Sequence, residues 1–219
     1  QPPVEQSPRA AEEGRRSPAP SDEQPGGFEI GLGAYRFDPL RYDEAIPASL
    51  RAREEECAAR PCHYIVQFAR PLREADRQAL VEGFGLKLRE YVPKGAYVER
   101  LAPEAARELC ARDLVRACLA YQPAFKLSPH LRREPHVEVD GRPALLAVLF
   151  DEADPGAVSS SLAAAGGQVL GVHDDRPLGG AVKVRFTVPD LDQLERIAHI
   201  EGIRWVEKAP RLDEDDGPS

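Results

Sequence analysis

Cys57, Cys62, Cys110 and Cys118 are the side chains best equipped for covalent chemistry, and all four fall between residues 57 and 118. An even count permits two disulfides in three connectivities, and an export route favours them. Buried free thiols are the alternative. The pairs have four and seven intervening residues, with His63 as the one nearby imidazole, which is not the spacing of a zinc site. A nucleophilic Cys110 or Cys118 would need a base that no local pattern supplies. His63 falls in a strand pattern, His130 and His136 in a polar spacer, and His199 in a short helix; His173-Asp174-Asp175 reads as a solvated hairpin connection. No His-x3-His pair occurs. Ser159, Ser160 and Ser161 lie on the early part of a helix, and no Gly-x-Ser-x-Gly elbow is present. The glycine pairs at 166–167 and 179–180 mark a helix stop and a hairpin turn, not a phosphate loop opening a helix. The expectation is a protein that is not an enzyme and uses no cofactor and no metal.

Composition narrows the class further. The chain has 219 residues and a formal charge of -8, with 29 basic against 37 acidic side chains. An acidic excess opposes phosphate-backbone binding, and Arg15-Arg16 and Arg132-Arg133 are too short to reverse it, so no nucleic acid partner is expected. No run of 18 apolar residues predicts a membrane span. The chain opens with glutamine, from which a signal peptide or longer precursor and a secreted or periplasmic location are expected. Residues 1–27 hold six prolines and no aromatic side chain, the mark of a disordered leader. Residues 212–219, LDEDDGPS, form an acidic tail.

The elements that would position any site follow from periodicity. Residues 62–68, CHYIVQF, read as a strand, 72–84 as an amphipathic helix stopped by Gly85, and 86–92 and 96–101 as a hairpin around Pro93-Lys94-Gly95. Pro103 opens a second, shorter helix, and 115–121 supply a fourth strand. After a polar spacer the order returns: strand 144–150, helix 155–165, strands 168–172 and 181–188, a helix from Pro189, and strand 203–206. The fold expected is α+β: two tandem ferredoxin-like βαββαβ domains, each a four-stranded antiparallel sheet with two helices on one face. Their bounds are 61–130 and 143–211, joined by a linker at 131–142. Apolar side chains on both parities of each first strand, Ile65 with Val66 and Val148 with Leu149, call for cover on the helix-free faces as well. Residues 28–60 form an aromatic arm and linker, in which Phe28, Ile30 and Leu32 alternate like an added strand and Tyr35, Phe37 and Tyr42 are anchors.

At Tyr64-Ile65-Val66-Gln67-Phe68, Tyr91-Val92-Pro93 with Gly95-Ala96-Tyr97-Val98, and Tyr121-Gln122-Pro123-Ala124-Phe125-Lys126-Leu127, the chain resembles the tandem propeptide (inhibitor I9-like) region of secreted bacterial subtilisin-like serine proteases, without the catalytic domain. Gly202-Ile203-Arg204-Trp205-Val206-Glu207 is similar to that family's closing turn and strand. The resemblance implies an intramolecular chaperone and inhibitor, which packs a sheet face on the protease catalytic domain and lays its C-terminal tail in the substrate cleft. Carried onto this chain, the partner-binding residues would be Tyr121, Phe125 and Trp205 with the tail Leu212, Asp213, Glu214, Asp215, Asp216, Gly217, Pro218 and Ser219. The second module, nearest the tail, would make the main contact. A tandem ferredoxin-like structural or ligand-sensing module, its helix-free faces closed against each other, is the alternative. Single-stranded RNA recognition would require exposed aromatics on a basic surface, which the charge disfavours.

Overall fold

The structure, a computed structural model, describes residues 27–133 and 135–211. The expected leader, apart from Gly27, and the acidic tail lie outside the described residues. The arm opens with a ribbon of two strands, β1 (Ile30–Leu32) and β2 (Tyr35–Phe37), and continues through two short helices, α1 (Tyr42–Ala45) and α2 (Glu54–Ala59). β1 pairs with β2 alone, so the alternation at 28–32 makes a ribbon of its own and adds no strand to a larger sheet.

The first unit runs β3 (Cys62–Phe68), α3 (Glu74–Phe84), β4 (Glu90–Val92), β5 (Ala96–Leu101), α4 (Pro103–Cys110) and β6 (Val115–Ala120). Its antiparallel sheet has the order β4-β5-β3-β6. Gly85 ends α3 in the left-handed conformation and donates its N–H to Val81, a closure open to glycine without steric cost. The strand expected over 86–92 is reduced to three residues, because Leu88 takes a positive φ of 49°. Glu99, only 4% exposed, accepts the N–H groups of Lys87 (2.9 Å) and Leu88 (2.6 Å) and so takes the place of a ladder partner. Burial raises the carboxyl pKa of Glu99 against the pull of those two donors.

The second unit runs β7 (Glu138–Val139), β8 (Arg142–Leu149), α5 (Pro155–Ala164), β9 (Gln168–Asp174), β10 (Val182–Thr187), α6 (Leu194–Ala198) and β11 (Ile203–Lys208). Asp154 caps α5 by accepting from Gly156 at 2.8 Å. The path β11-β8-β10-β9 matches the first sheet position by position, but β7 adds a fifth strand against β8. Register shifts at Arg185/Phe186 and Ile203/Trp205 add twist, so this sheet curls and is not the plain four-stranded repeat that the periodicity suggested. Strand β7 also lies within the expected linker 131–142, and Leu131 at its start is buried in the second core. His173 and Asp174, expected in a connection, belong to β9.

The two faces of β3 explain how the first unit is covered. Val66 and Phe68 meet Leu80 of α3 and Ala106 and Leu109 of α4. Ile65, on the opposite face, packs with Ile30, Phe37, Ile46 and Leu50 of the arm and with Phe125. Phe37 stacks on Phe125 with centroids 5.0 Å apart. The turn between β1 and β2 presses so close to the backbone of residues 124–127 that a Cβ on Gly33 would lie 2.9 Å from the Leu127 carbonyl oxygen, and Gly33 also has φ of 59°.

A polar junction fastens the arm to that face. Arg116 of β6 donates to both carboxylate oxygens of Asp38 (2.8 and 2.7 Å) and to the amide oxygen of Gln67 (2.7 Å), and lies 4.0 Å from the Phe28 ring centroid. Gln67, fully buried, donates to the Phe28 and Lys94 carbonyls. We expect Arg116→Ala to cost about 2 kcal/mol in urea unfolding and to speed proteolysis within residues 28–50. Arg116→Lys should restore only part of this, since an ammonium cannot form the fork. Unchanged proteolysis in Arg116→Ala would show that apolar contacts alone hold the arm.

Candidate protein-binding surface

Period-two alternation places Leu146 and Val148 of β8, Lys183 and Arg185 of β10, and Trp205 and Glu207 of β11 on one face of the second sheet, opposite its helices. Leu146 is paired with Arg185 and Glu207, and Val148 with Lys183 and Trp205. All six are half-buried, and none of them joins a core cluster, whereas Ile65 on the corresponding face of the first sheet is packed under the arm. Trp205 donates its indole N–H to Glu207 at 3.1 Å, which fixes the ring beside the aliphatic centre. The result is an apolar patch bearing one tryptophan, bordered by two cations and one carboxylate. Such a mixture of an aromatic anchor and a charged rim suits a protein partner.

Tyr121 and Phe125 are placed elsewhere. Phe125 is fully buried in the cluster beneath the arm, and Tyr121 packs edge-on to both Phe125 and Phe150, each at 5.6 Å. Burial raises the Tyr121 phenol pKa, and its hydroxyl donates to the Arg204 carbonyl at 3.4 Å. Both rings are therefore spent within the chain, at the seam between the two units. Residues 212–219 lie outside the described residues.

That seam is built by pairs that lie far apart in sequence. Ser128 donates its N–H to Val206, so the segment after Phe125 runs along the β11 edge, and Lys126 donates to the Ile200 carbonyl at 2.8 Å. Arg204 pairs with Glu90 at 3.1 Å, and Arg60 with Glu201. His63 stacks on Phe150 with ring centroids 3.5 Å apart, and its Nε2 lies 2.6 Å from Glu152. Arg100 approaches the same carboxylate at 3.5 Å. Burial pushes the His63 imidazole down to about 4, outweighing the attraction of Glu152. A neutral ring still donates to the carboxylate. Beside this stack is a shallow cleft of about 260 Å³ bordered by Arg100, Ala157 and Ser161, below the volume usual for a small-molecule pocket of roughly 300 to 1,000 Å³.

The other reactive side chains have structural partners. Cys57 is bonded to Cys62 and Cys110 to Cys118, which ties α2 to β3 and α4 to β6. His199 Nε2 lies 2.8 Å from the Ser49 carbonyl, and His173 2.7 Å from Asp175. Among the described residues no group of three or more His, Cys, Asp or Glu side chains could hold a metal ion, and no helix is long and apolar enough to cross a membrane.

The His63 environment makes a pH prediction. Its folded pKa lies below the unfolded value of 6.5, so the unfolded chain binds the proton first and stability falls as pH drops from about 6.5 towards about 4. Between about pH 7 and about pH 4.5 the wild type should lose about 2 kcal/mol more than His63→Phe, measured by urea unfolding followed at Trp205. Equal losses would mean that His63 is protonated in place.

A family described as a domain of unknown function (DUF8729) matches residues 31–122, the arm and first unit together and under half of the chain. Comparison with curated proteins and with solved structures finds no match.

Proposed function

We propose that this chain is a tandem pair of ferredoxin-like modules that acts by binding, without chemistry of its own. The first module is a closed platform, and the second presents its helix-free sheet face to a protein partner. The observation that carries this reading is the asymmetry of two equivalent faces: the one bearing Ile65 is sealed by the arm, whereas Leu146, Val148 and Trp205 on the other are only half-buried and join no core cluster. Two disulfides favour an oxidising location, secreted or periplasmic. The commitment of His63, His173 and His199 to Glu152, Asp175 and the Ser49 carbonyl supports a non-catalytic role.

A photocrosslinking amino acid tests this surface in the producing cell. Placed at Lys183, on the open face, it should yield a discrete protein adduct. Placed at Val81, exposed on the helical side of the first module, it should not. Adducts from both positions alike, or from neither, would overturn the reading.

The resemblance to subtilisin-like pro-regions names one candidate partner, a subtilisin-like catalytic domain. What favours it is that the open face belongs to the module whose last strand, β11, leads into the acidic tail. On this reading the intact chain inhibits such a protease, and a version ending at Arg211 inhibits it about tenfold less or worse. No inhibition by either folded version removes the protease and leaves a structural pair of modules with another partner.

A further inference from the structure

Arg185, in β10, is half-buried on the open face of the second sheet, and its side chain makes no hydrogen bond or ion pair among the described residues. Leu146 and Gly171 flank it across the strands, and neither offers a side-chain acceptor. Glu207, in the same row beyond Leu146, already accepts the Trp205 indole N–H. Lys183, two residues before it, shares Asp175 with His173. The face thus holds basic groups, one of them unanswered, in a chain whose formal charge is -8. A sheltered guanidinium without an acceptor calls for an anionic group from beyond the described residues.

The end of β11 brings such groups within reach. Ala144 of β8 donates its N–H to Val137 and accepts from Ala209 with its carbonyl, so β7 occupies the lane beside β8 that β11 would need to continue. After Ala209 the chain must leave that row. Arg185 is two strands across and two residues along from this point, about 12 Å at ordinary strand spacing and rise. Asp213, Glu214, Asp215 and Asp216 follow four to seven residues after Ala209 and can extend about 14 to 25 Å from it.

We propose that residues 212–216 lie across the open face of the second sheet, their carboxylates on Arg185 and Lys183, and pass over Leu146 beside the Trp205 indole. Charge and reach both match. Being tethered, the segment acts at a high effective concentration, so a few partly screened ion pairs suffice to hold it. It covers the second sheet as the arm covers the first, but by charge, so it can be displaced. That a partner taking this face must displace it rests on the binding reading above; the docking itself does not.

Acrylamide quenching of Trp205, the single tryptophan, tests the docking in the full chain with no partner present. At low salt a version ending at Arg211 should be quenched about twofold more efficiently than the full chain. The difference should vanish at about 1 M salt, where exposed charges are screened. Full-length Arg185→Glu should behave like the shortened version at low salt. Equal quenching of the full and shortened chains at low salt overturns the proposal. So does a difference that persists both in high salt and in Arg185→Glu, which would assign the segment to another surface. Because no partner takes part, a negative result leaves the crosslinking test of the face standing, and a failed crosslink leaves this one standing.

Discussion

Arg116 can be carried on a covered sheet face only if acceptors come to it, and the chain brings two from distant places. Asp38 arrives from the arm and Gln67 from the neighbouring strand, and together they engage the guanidinium from two sides. With Arg116 15% exposed and Asp38 30% exposed, the pair is too sheltered to count as a screened surface bridge. Its position sets the path of the arm, and the path of the arm decides that Ile30, Phe37, Ile46 and Leu50 lie over Ile65. Removing one partner would leave the other charge or the Gln67 amide without compensation in a mostly apolar layer.

From that junction follows the difference between two modules with the same strand path. The first has apolar layers on both sides of its sheet. The second keeps its core between sheet and helices and meets its surroundings with a mixed face of aliphatic, indole and charged groups. The linker helps to fix this inequality: Phe125 fills the layer beneath the arm, Lys126 reaches the second module, and Leu131 enters the second core. A few consecutive residues thus belong to both halves, and the modules share a boundary rather than a hinge.

Much of this was legible in the sequence because punctuation and period agree. Gly85, Pro93 to Gly95, Pro103, Pro155 and Gly166-Gly167 fall at element ends in both halves, and helical and strand periods alternate between them. Parity at Ile65 and Val66 correctly asked for cover on two faces. The same signal at Val148 and Leu149 put Leu149 in the core but left Val148 half-buried outside every core cluster, since parity reports apolarity and says nothing of what will meet it. Strand β7, two residues long, is too short to show a period. The segment at 86–89 reads as strand by composition, and only the distant Glu99 makes an irregular path tolerable. Arg116 with Asp38, and His63 with Glu152, are separated by most of a module or more, and each looks like a solvated polar residue when read alone. Tyr121 and Phe125 were assigned to a partner by the resemblance to subtilisin-like pro-regions, and a motif of local residues could not say that the chain itself covers both rings.

The seat of the arm has a consequence for how the chain is made. Residues 28–50 leave the ribosome before β3, β5 and β6 exist, and their docking layer also needs Phe125 and, from the second module, Ala198. During synthesis the arm must therefore wait, with Ile30, Phe37, Ile46 and Leu50 uncovered, until nearly the whole chain has emerged. The strand that anchors it, β6, is itself the last of its sheet to appear and joins β3 across about fifty residues of chain. The first of the described elements to be translated is thus among the last to find its place, and slow elongation would lengthen the interval in which it is open to chaperones and proteases alike.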